Sequence, residues 1–218
     1  TNSVNGCTSV DNVVVAADQV DPVAVISQPD LLTCAVEEII LDATGSSTGP
    51  NIDYEWAASG GGNIASQSDP LQPVVDEPGS YFLLVTNTDN GCTQTVSIEV
   101  AQDILNPVAN AGANGLLTCA VTSLQLDGEG SSQNGSYFYQ WSTITGQILV
   151  GANSLNPTIV AGGTYSLVVI NNANGCSATD NVLVDVNTTP PPIAIAPPSI
   201  ITCVQPQVVL DGSASIGG

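Results

Sequence analysis

The cysteine thiols are the side chains of this chain whose types and spacing most clearly predict chemistry. All six belong to two short signatures that recur at about 85-residue intervals, a spacing that indicates a tandem repeat. One signature, Leu-Leu-Thr-Cys or Ile-Ile-Thr-Cys, ends at Cys34, Cys119 and Cys203, and the other, Asn-Gly-Cys, ends at Cys7, Cys92 and Cys176. Because the chain has no histidine and no Cys-x-x-Cys, the pattern favours disulfide bonds over zinc ligation. Disulfides indicate an oxidising, extracellular compartment.

Two disulfide schemes are consistent with this spacing. The within-repeat scheme pairs Cys34–Cys92 and Cys119–Cys176 and leaves Cys7 and Cys203 to bond cysteines outside the chain. The junction scheme pairs each Asn-Gly-Cys with the threonine-containing signature that follows it, giving Cys7–Cys34, Cys92–Cys119 and Cys176–Cys203 at one constant interval. We favour the within-repeat scheme because each junction pair would have to reach past a whole strand on both sides. Spacing alone leaves both schemes open.

The charge of the chain excludes several classes of partner. It has 20 carboxylates and no Lys, Arg or His, for a net charge of −20. Neutralising phosphate groups requires cationic side chains, so we expect no nucleic-acid binding and no attachment to an anionic membrane. No stretch is continuously apolar over the roughly 20 residues that a membrane-spanning helix needs, so we also expect no membrane insertion by this chain.

Three aspartates near the repeat junctions, Asp18, Asp21 and Asp103, are candidate ligands for calcium. Calcium prefers carboxylate and carbonyl oxygens, and an ion at a junction would stiffen an array of repeats. The chain contains no Asp-x-Asp-x-Asp-Gly loop, and solvated surface carboxylates are the alternative interpretation. We predict no other metal site and no organic cofactor.

The residue types of the chain argue against catalysis. Serine and threonine are abundant, but only a carboxylate is available as a base to activate them. The paired carboxylates Glu37-Glu38 and Asp76-Glu77 are adjacent in sequence, so on a strand they would point to opposite faces. We therefore predict that the chain is not an enzyme.

Alternation of period two predicts the elements that position the cysteines. Ile39 and Leu41 alternate before a Gly-Ser-Ser turn, and Tyr81, Leu83 and Val85 alternate before the Asn-Gly-Cys signature. Short strands that are separated by closely spaced turn signals are typical of an antiparallel sandwich. We predict an all-β fold of tandem immunoglobulin-like, PKD-like β-sandwich repeats with the period of the cysteine signatures. The predicted parts are C-terminal strands of a partial repeat at 1–20, whole repeats at 21–105 and 106–190, and N-terminal strands of a partial repeat at 191–218.

Four aromatic side chains recur at equivalent positions of the two whole repeats. Trp56 and Trp141 lie in Tyr-x-Trp, and Tyr81 and Tyr165 lie in Gly-x-Tyr before the penultimate strand. Their placement among inward-facing residues predicts core packing, with the tyrosines as tyrosine-corner-like features. The alternative, a sugar-stacking platform, requires the tryptophans to be exposed.

The order Pro-x-Ala, Leu-Thr-Cys, Leu-Asp-Gly, Tyr-x-Trp, Gly-x-Tyr, Asn-Gly-Cys resembles the immunoglobulin-like and PKD-like repeats of giant cell-surface adhesins. Gliding bacteria export such adhesins by type IX secretion. The resemblance implies a very large, secreted protein at the cell surface that serves adhesion, gliding or filament formation.

We therefore predict a structural or adhesive repeat region that forms an extended extracellular fibre or filament. Its expected partners are neighbouring repeats, identical chains or surface polysaccharide. A spacer module of a secreted enzyme or surface-layer protein, and a glycan-binding module, are the alternative functions.

Overall fold

The computed structural model describes residues 1–193, 200–210, 212 and 215. The regular elements in this part of the chain are all β-strands. The chain divides into two compact units. The first comprises Thr1–Leu105 together with the short segment Ala173–Cys176, and the second comprises Asn106–Asn172 and Ser177–Gly218.

The first unit contains eight strands. They are β1 (Leu32–Thr33), β2 (Ile39–Ile40), β3 (Ile52–Ser59), β4 (Ile64–Ser66), β5 (Val74–Val75), β6 (Gly79–Asn87), β7 (Thr93–Val100) and β8 (Gln102–Asp103). One antiparallel sheet has the order β3-β6-β7 and another the order β2-β5-β4. The short strand β1 pairs in parallel with β8, which places Thr33 opposite Asp103.

The second unit repeats this arrangement with seven strands among its described residues. They are β9 (Gly115–Thr118), β10 (Leu124–Gln125), β11 (Tyr137–Thr143), β12 (Ile148–Val150), β13 (Thr158–Ile159), β14 (Gly163–Asn171) and β15 (Ser177–Asn187). The sheets have the orders β11-β14-β15-β9 and β10-β13-β12. The β9–β15 pair is parallel and corresponds to β1–β8, with Thr118 opposite Asn187.

Each unit has its own hydrophobic core between its two main sheets. In the first unit, Ile39 and Val75 from one sheet pack with Trp56 and Leu83 from the other. In the second, Ile159 packs with residues of β11, β14 and β15. The alternation of buried and exposed residues along β6 and β14 is the period-two pattern of a strand with one buried face. The fold is therefore all-β, a tandem pair of immunoglobulin-like β-sandwiches.

The Gly-Ser-Ser turns have a structural task that the sequence did not reveal. The buried Ser46 hydroxyl accepts a hydrogen bond from the Val25 amide at 3.0 Å and donates to the Val25 carbonyl at 3.0 Å. Ser131 makes the same two contacts with Asn110 in the second unit. Each serine thus ties the N-terminal segment of its unit to the sandwich, although that segment belongs to no strand.

The two end segments of the chain lack the strands that were predicted for them in the residues that the structure describes. No strand is found in residues 1–20, where C-terminal strands of a repeat were expected, nor in the described part of 191–218, where N-terminal strands were expected. The other residues of the 191–218 prediction lie outside the described ranges. Strands need neighbours to satisfy their backbone groups and to cover their apolar face. Among the described residues, no strand pairs with residues 1–20 or with the described part of 191–218.

Candidate functional site

Two cysteines form a disulfide bond that neither predicted scheme contains. Cys34 bonds Cys176, with 5.0 Å between their Cα atoms and a sequence separation of 142. The remaining four, Cys7, Cys92, Cys119 and Cys203, are free thiols. The bond joins the Leu-Leu-Thr-Cys signature of one repeat to the Asn-Gly-Cys signature of the following repeat. The pairs Cys34–Cys92 and Cys119–Cys176 are therefore wrong, as are the junction pairs Cys7–Cys34 and Cys176–Cys203.

The strand after Asn-Gly-Cys explains why the within-repeat bond cannot form. Cys34 follows Thr33, which lies opposite Asp103 at the far end of the β7–β8 segment, whereas Cys92 immediately precedes β7. The segment from Thr93 to Asp103 spans about 33 Å at the rise of a β-strand. A disulfide requires Cα atoms less than about 7 Å apart. The alternation of Val96, Ile98 and Val100 after Cys92 was the signal in the sequence that could have excluded the pair, because it indicates a strand between the two positions.

A threonine-capped turn presents Cys34. The Thr33 amide donates to the Val36 carbonyl at 2.8 Å, and the Thr33 hydroxyl oxygen accepts from the amides of Ala35 and Val36. The Thr118 turn around Cys119 has the same three hydrogen bonds. The threonine of the signature therefore shapes the loop, and the cysteine is carried at its tip.

The Asn-Gly-Cys turn also has a defined geometry. Gly175 has φ 74°, a left-handed conformation that favours glycine, and Gly6 and Gly91 have φ 73° and 74°. Gly175 lies so close to Ala35 that an added Cβ would collide with the Ala35 Cβ. The Asn174 carbonyl accepts the Ala35 amide at 3.2 Å. At position 175 glycine is thus required by backbone conformation and by contact, within the first unit.

The side chain of Asn174 holds this turn in place. It is 2% exposed, and its Nδ2 donates to Asp103 Oδ1 at 3.0 Å and to the Leu105 carbonyl at 3.1 Å. Its Oδ1 accepts the Cys176 amide at 3.0 Å. One buried amide therefore binds the residues that follow the sandwich strands and also orients the cysteine. The sequence pattern indicated only a turn residue at this position.

Asn90 makes the same contacts one repeat earlier. Its Nδ2 donates to Asp18 Oδ1 at 3.2 Å and to the Val20 carbonyl at 3.1 Å, and its Oδ1 accepts the Cys92 amide at 2.9 Å. Burial raises the pKa of the Cys92 thiol above its ordinary value, and the negative charges of Asp21 and Asp18 raise it further. Less thiolate is therefore present at neutral pH, and thiolate is the reactive form in disulfide exchange.

The calcium candidates have these contacts instead of a shared cluster. Asp18 and Asp103 accept hydrogen bonds from Asn90 and Asn174, and Asp21 lies beside Cys92. In the part of the chain that the structure describes, no group of three or more Cys, Asp or Glu residues is arranged to hold a metal ion. Calcium at these aspartates stays a prediction.

The four predicted core aromatics are buried, and each hydrogen-bonds backbone. Trp56 Nε1 donates to the Pro70 carbonyl at 2.8 Å, and Trp141 Nε1 donates to the Ser154 carbonyl at 3.0 Å. The Tyr81 hydroxyl donates to the Glu77 carbonyl at 2.6 Å and accepts the Asn63 amide at 2.9 Å. Burial raises the pKa of Tyr81 above its ordinary value.

Tyr165 makes equivalent hydrogen bonds with Ala161 and Gln147. Neither tryptophan is available as a sugar-stacking platform. An open cleft on the second unit is instead lined by hydroxyl, amide and aliphatic side chains, namely Ser142, Thr143, Ile144, Thr145, Thr164, Ser166 and Asn181.

Within the described residues, no helix has the length and apolar character to cross a membrane.

The sheets and the two separate cores define this chain as one that contains immunoglobulin-like β-sandwich modules. No protein-family model matches it. Human dyslexia-associated protein KIAA0319 is 29% identical over 217 residues, which cover 89% of this chain and 20% of that protein. Its mouse homolog is 29% identical over 238 residues, which cover 99% of this chain and 22% of that protein. The chain thus spans about a fifth of the length of the curated relatives it matches.

Similar solved structures include a PKD domain from KIAA 1837 protein, which is 28% identical and covers 38% of this chain and 89% of that chain, with a TM-score of 0.30. An I-band fragment from titin is 11% identical and covers 80% of this chain and 68% of that chain, with a TM-score of 0.39. The fold assignment itself rests on the sheets and cores described above. The curated relatives named here are mammalian, so they do not support the more specific resemblance to bacterial type IX adhesins.

Proposed function

We propose that the chain is a non-enzymatic, structural or adhesive repeat region of a larger protein at the cell surface. The observation that carries this proposal is the Cys34–Cys176 bond between signatures of successive β-sandwich repeats. Such a bond persists in an oxidising environment. Because it joins the signatures of successive repeats, it would resist their separation under load.

The surface chemistry supports the same function. A net charge of −20 without a single basic side chain keeps the repeats soluble and repels other copies of the same surface at low ionic strength. The screening by salt outside cells reduces this repulsion, so neighbouring repeats or identical chains are compatible partners there. An extended fibre or filament, with surface polysaccharide as a further partner, is part of the proposal.

The experiment uses intact cells that produce the native protein. An antibody against the chain should label these cells without permeabilisation. Proteinase K should remove the label, and trypsin should leave epitopes in this chain intact because the chain has no Lys or Arg. Labelling that requires permeabilisation would overturn the extracellular assignment.

The adhesive part of the proposal has a separate readout. Monovalent fragments of the same antibody should reduce attachment of the cells to a surface, compared with fragments of an unrelated antibody. Unchanged attachment on labelled cells would contradict adhesion and favour a spacer within a surface or secreted protein.

A further inference from the structure

The four free cysteines fall into two kinds that match the two halves of the bonded pair. Cys119 and Cys203 follow threonine, as Cys34 does, and Cys7 and Cys92 follow Asn-Gly, as Cys176 does. The bonded cysteines have a sequence separation of 142. The same separation counted forward from Cys119 or Cys203, or backward from Cys7 or Cys92, leads outside the 218 residues. Each free cysteine therefore belongs to the same signature as one of the two bonded cysteines, and none of the four has a cysteine of the other signature at that separation within the 218 residues.

Cys119 lies in the same local structure as Cys34, the cysteine of the bonded pair that follows threonine. Thr118 makes the same turn as Thr33, and β9 pairs in parallel with β15 as β1 pairs with β8. The segment at 187–189, next to Cys119, also matches the segment at 103–105 that Asn174 binds. The Thr189 amide donates to Asn187 Oδ1 at 3.4 Å, as the Leu105 amide donates to Asp103 Oδ1 at 3.3 Å. The groups that bind the Asn174 turn at Cys34 therefore have counterparts at Cys119.

Cys92 lies in the same local structure as Cys176, the cysteine of the bonded pair that follows Asn-Gly. Asn90 binds Asp18 and Val20 with the amide geometry that Asn174 uses on Asp103 and Leu105. Cys92 is consequently held beside the residues next to which a threonine-type cysteine would lie. An added Cβ at Gly91 would meet no atom within 4 Å, whereas one at Gly175 would collide with Ala35 of the bonded turn.

We propose that each of these four cysteines forms a disulfide equivalent to Cys34–Cys176, with a cysteine of the other signature in another repeat of this type. We call this disulfide and its two turns the connector. Cys119 and Cys203 bond the Asn-Gly-Cys turn of the next repeat, and Cys7 and Cys92 bond the Leu-Thr-Cys turn of the preceding repeat. Each repeat would then be bonded to both neighbours, so the array would be cross-linked at every junction.

The chemistry balances with a disulfide as oxidant. One cysteine thiolate attacks a small-molecule or oxidoreductase disulfide, forming a mixed disulfide and releasing one thiol. The second cysteine thiolate then attacks the mixed disulfide and releases the other thiol. Two cysteine thiols are oxidised to one disulfide, and the oxidant is reduced to two thiols.

The first test is non-reducing peptide mapping of the native protein, with an endoproteinase that cleaves at aspartate because trypsin has no site in this chain. Every Leu-Thr-Cys or Ile-Thr-Cys peptide should be linked to an Asn-Gly-Cys peptide of the next repeat, with the Cys34–Cys176 peptide as internal standard. A Cys92–Cys119 link, or Cys119 free or capped by a small thiol beside an intact Cys34–Cys176 bond, would overturn the connector. Complete reduction of all six cysteines would instead overturn the oxidising compartment of the proposed function.

The second test measures the docking contact itself in the full chain, with the four free cysteines replaced by serine. Equilibration with reduced and oxidised glutathione gives the equilibrium constant for the Cys34–Cys176 bond. Asn174→Asp keeps the acceptor for the Cys176 amide but places a carboxylate against Asp103, and we expect at least a tenfold fall in that constant. Adding Asp103→Asn restores a donor and an acceptor to the contact and should recover most of the loss.

Asn172→Ala, which changes an exposed asparagine near the same turn, is the matched control and should leave the constant unchanged. If Asn174→Asp has no effect, or if Asp103→Asn does not improve it, the asparagine contact does not position the cysteine and the docking part of the proposal is wrong.

Discussion

In each sandwich, the hydroxyl group of one buried tyrosine hydrogen-bonds the backbone at the corner before the penultimate strand. The Tyr81 side chain is fully buried, and its hydroxyl connects the Asn63 amide to the Glu77 carbonyl. A buried backbone group that loses its partner costs more free energy than the hydrogen bond contributed net, because the group remains out of water. The recurrence of these contacts at Tyr165 shows that the corner is a property of the repeat.

We therefore predict that Tyr81→Phe lowers the free energy of unfolding of its repeat by about 1–3 kcal/mol. The ring still fills the core, so the loss reports the hydroxyl. Urea unfolding followed by tryptophan fluorescence measures it. The half-buried Tyr137 supplies the control, since Tyr137→Phe should change the free energy of unfolding by less than about 0.5 kcal/mol. Equal effects of the two substitutions would contradict the corner.

The N-terminal segment of each unit is held by side-chain hydrogen bonds and isolated backbone hydrogen bonds instead of a ladder of strand hydrogen bonds. Ser46 satisfies both the amide and the carbonyl of Val25, and the neighbouring Ser47 hydroxyl accepts the Val23 amide at 2.9 Å. The two serines of the Gly-Ser-Ser motif thus clamp the N-terminal segment at two positions, Val23 and Val25. Its equivalent in the second unit is Ser131 with Asn110 and Ser132 with Val108.

Ser46→Ala should release this segment locally and lower the free energy of unfolding by about 1–2 kcal/mol, because the Val25 groups lose their partner. Amide hydrogen exchange should become faster at Val25 and remain unchanged in β6. Ser68→Ala, at an exposed serine of the same unit, is the control and should leave exchange at Val25 as it is. Unaltered exchange at Val25 in Ser46→Ala would show that the segment is held by other contacts.

At the scale of the molecule, the disulfide constrains a very long stretch of chain. Cys34 and Cys176 have a sequence separation of 142, and closing a loop of that length removes much conformational entropy from the unfolded state. The chain-entropy model gives about 5 kcal/mol for such a loop. This stabilisation offsets the mutual repulsion of a surface that has no basic side chain.

Replacing both Cys34 and Cys176 by serine should accordingly lower the free energy of unfolding by up to about 5 kcal/mol. Guanidinium unfolding under non-reducing conditions measures the change. The double substitution Cys119→Ser with Cys203→Ser removes two free thiols of the same signature and should have almost no effect in this chain. A wild-type protein whose unfolding is insensitive to reductant would contradict the contribution assigned to the bond.

The sequence was sufficient for the period, the all-β class and the buried aromatic residues. These features follow from local patterns, since alternation along Tyr81, Leu83 and Val85 directly specifies one buried face of a strand. The Gly-Ser-Ser motif was recognised as a turn, but its clamp on Val25 was not. That contact joins residues from separate segments of the chain, and no local pattern encodes it.

The amino-acid sequence by itself determined that cysteines of two kinds recur with the repeat and that the chain has no Lys, Arg or His. Only the tertiary structure decided which cysteines meet. The length of β7 separates Cys92 from Cys34 by more than a disulfide can span, and the turn around Asn174 places Cys176 there instead. Disulfide connectivity depends on distances in space, and those are set by the sheets and by one buried asparagine amide, not by the spacing of the cysteines along the chain.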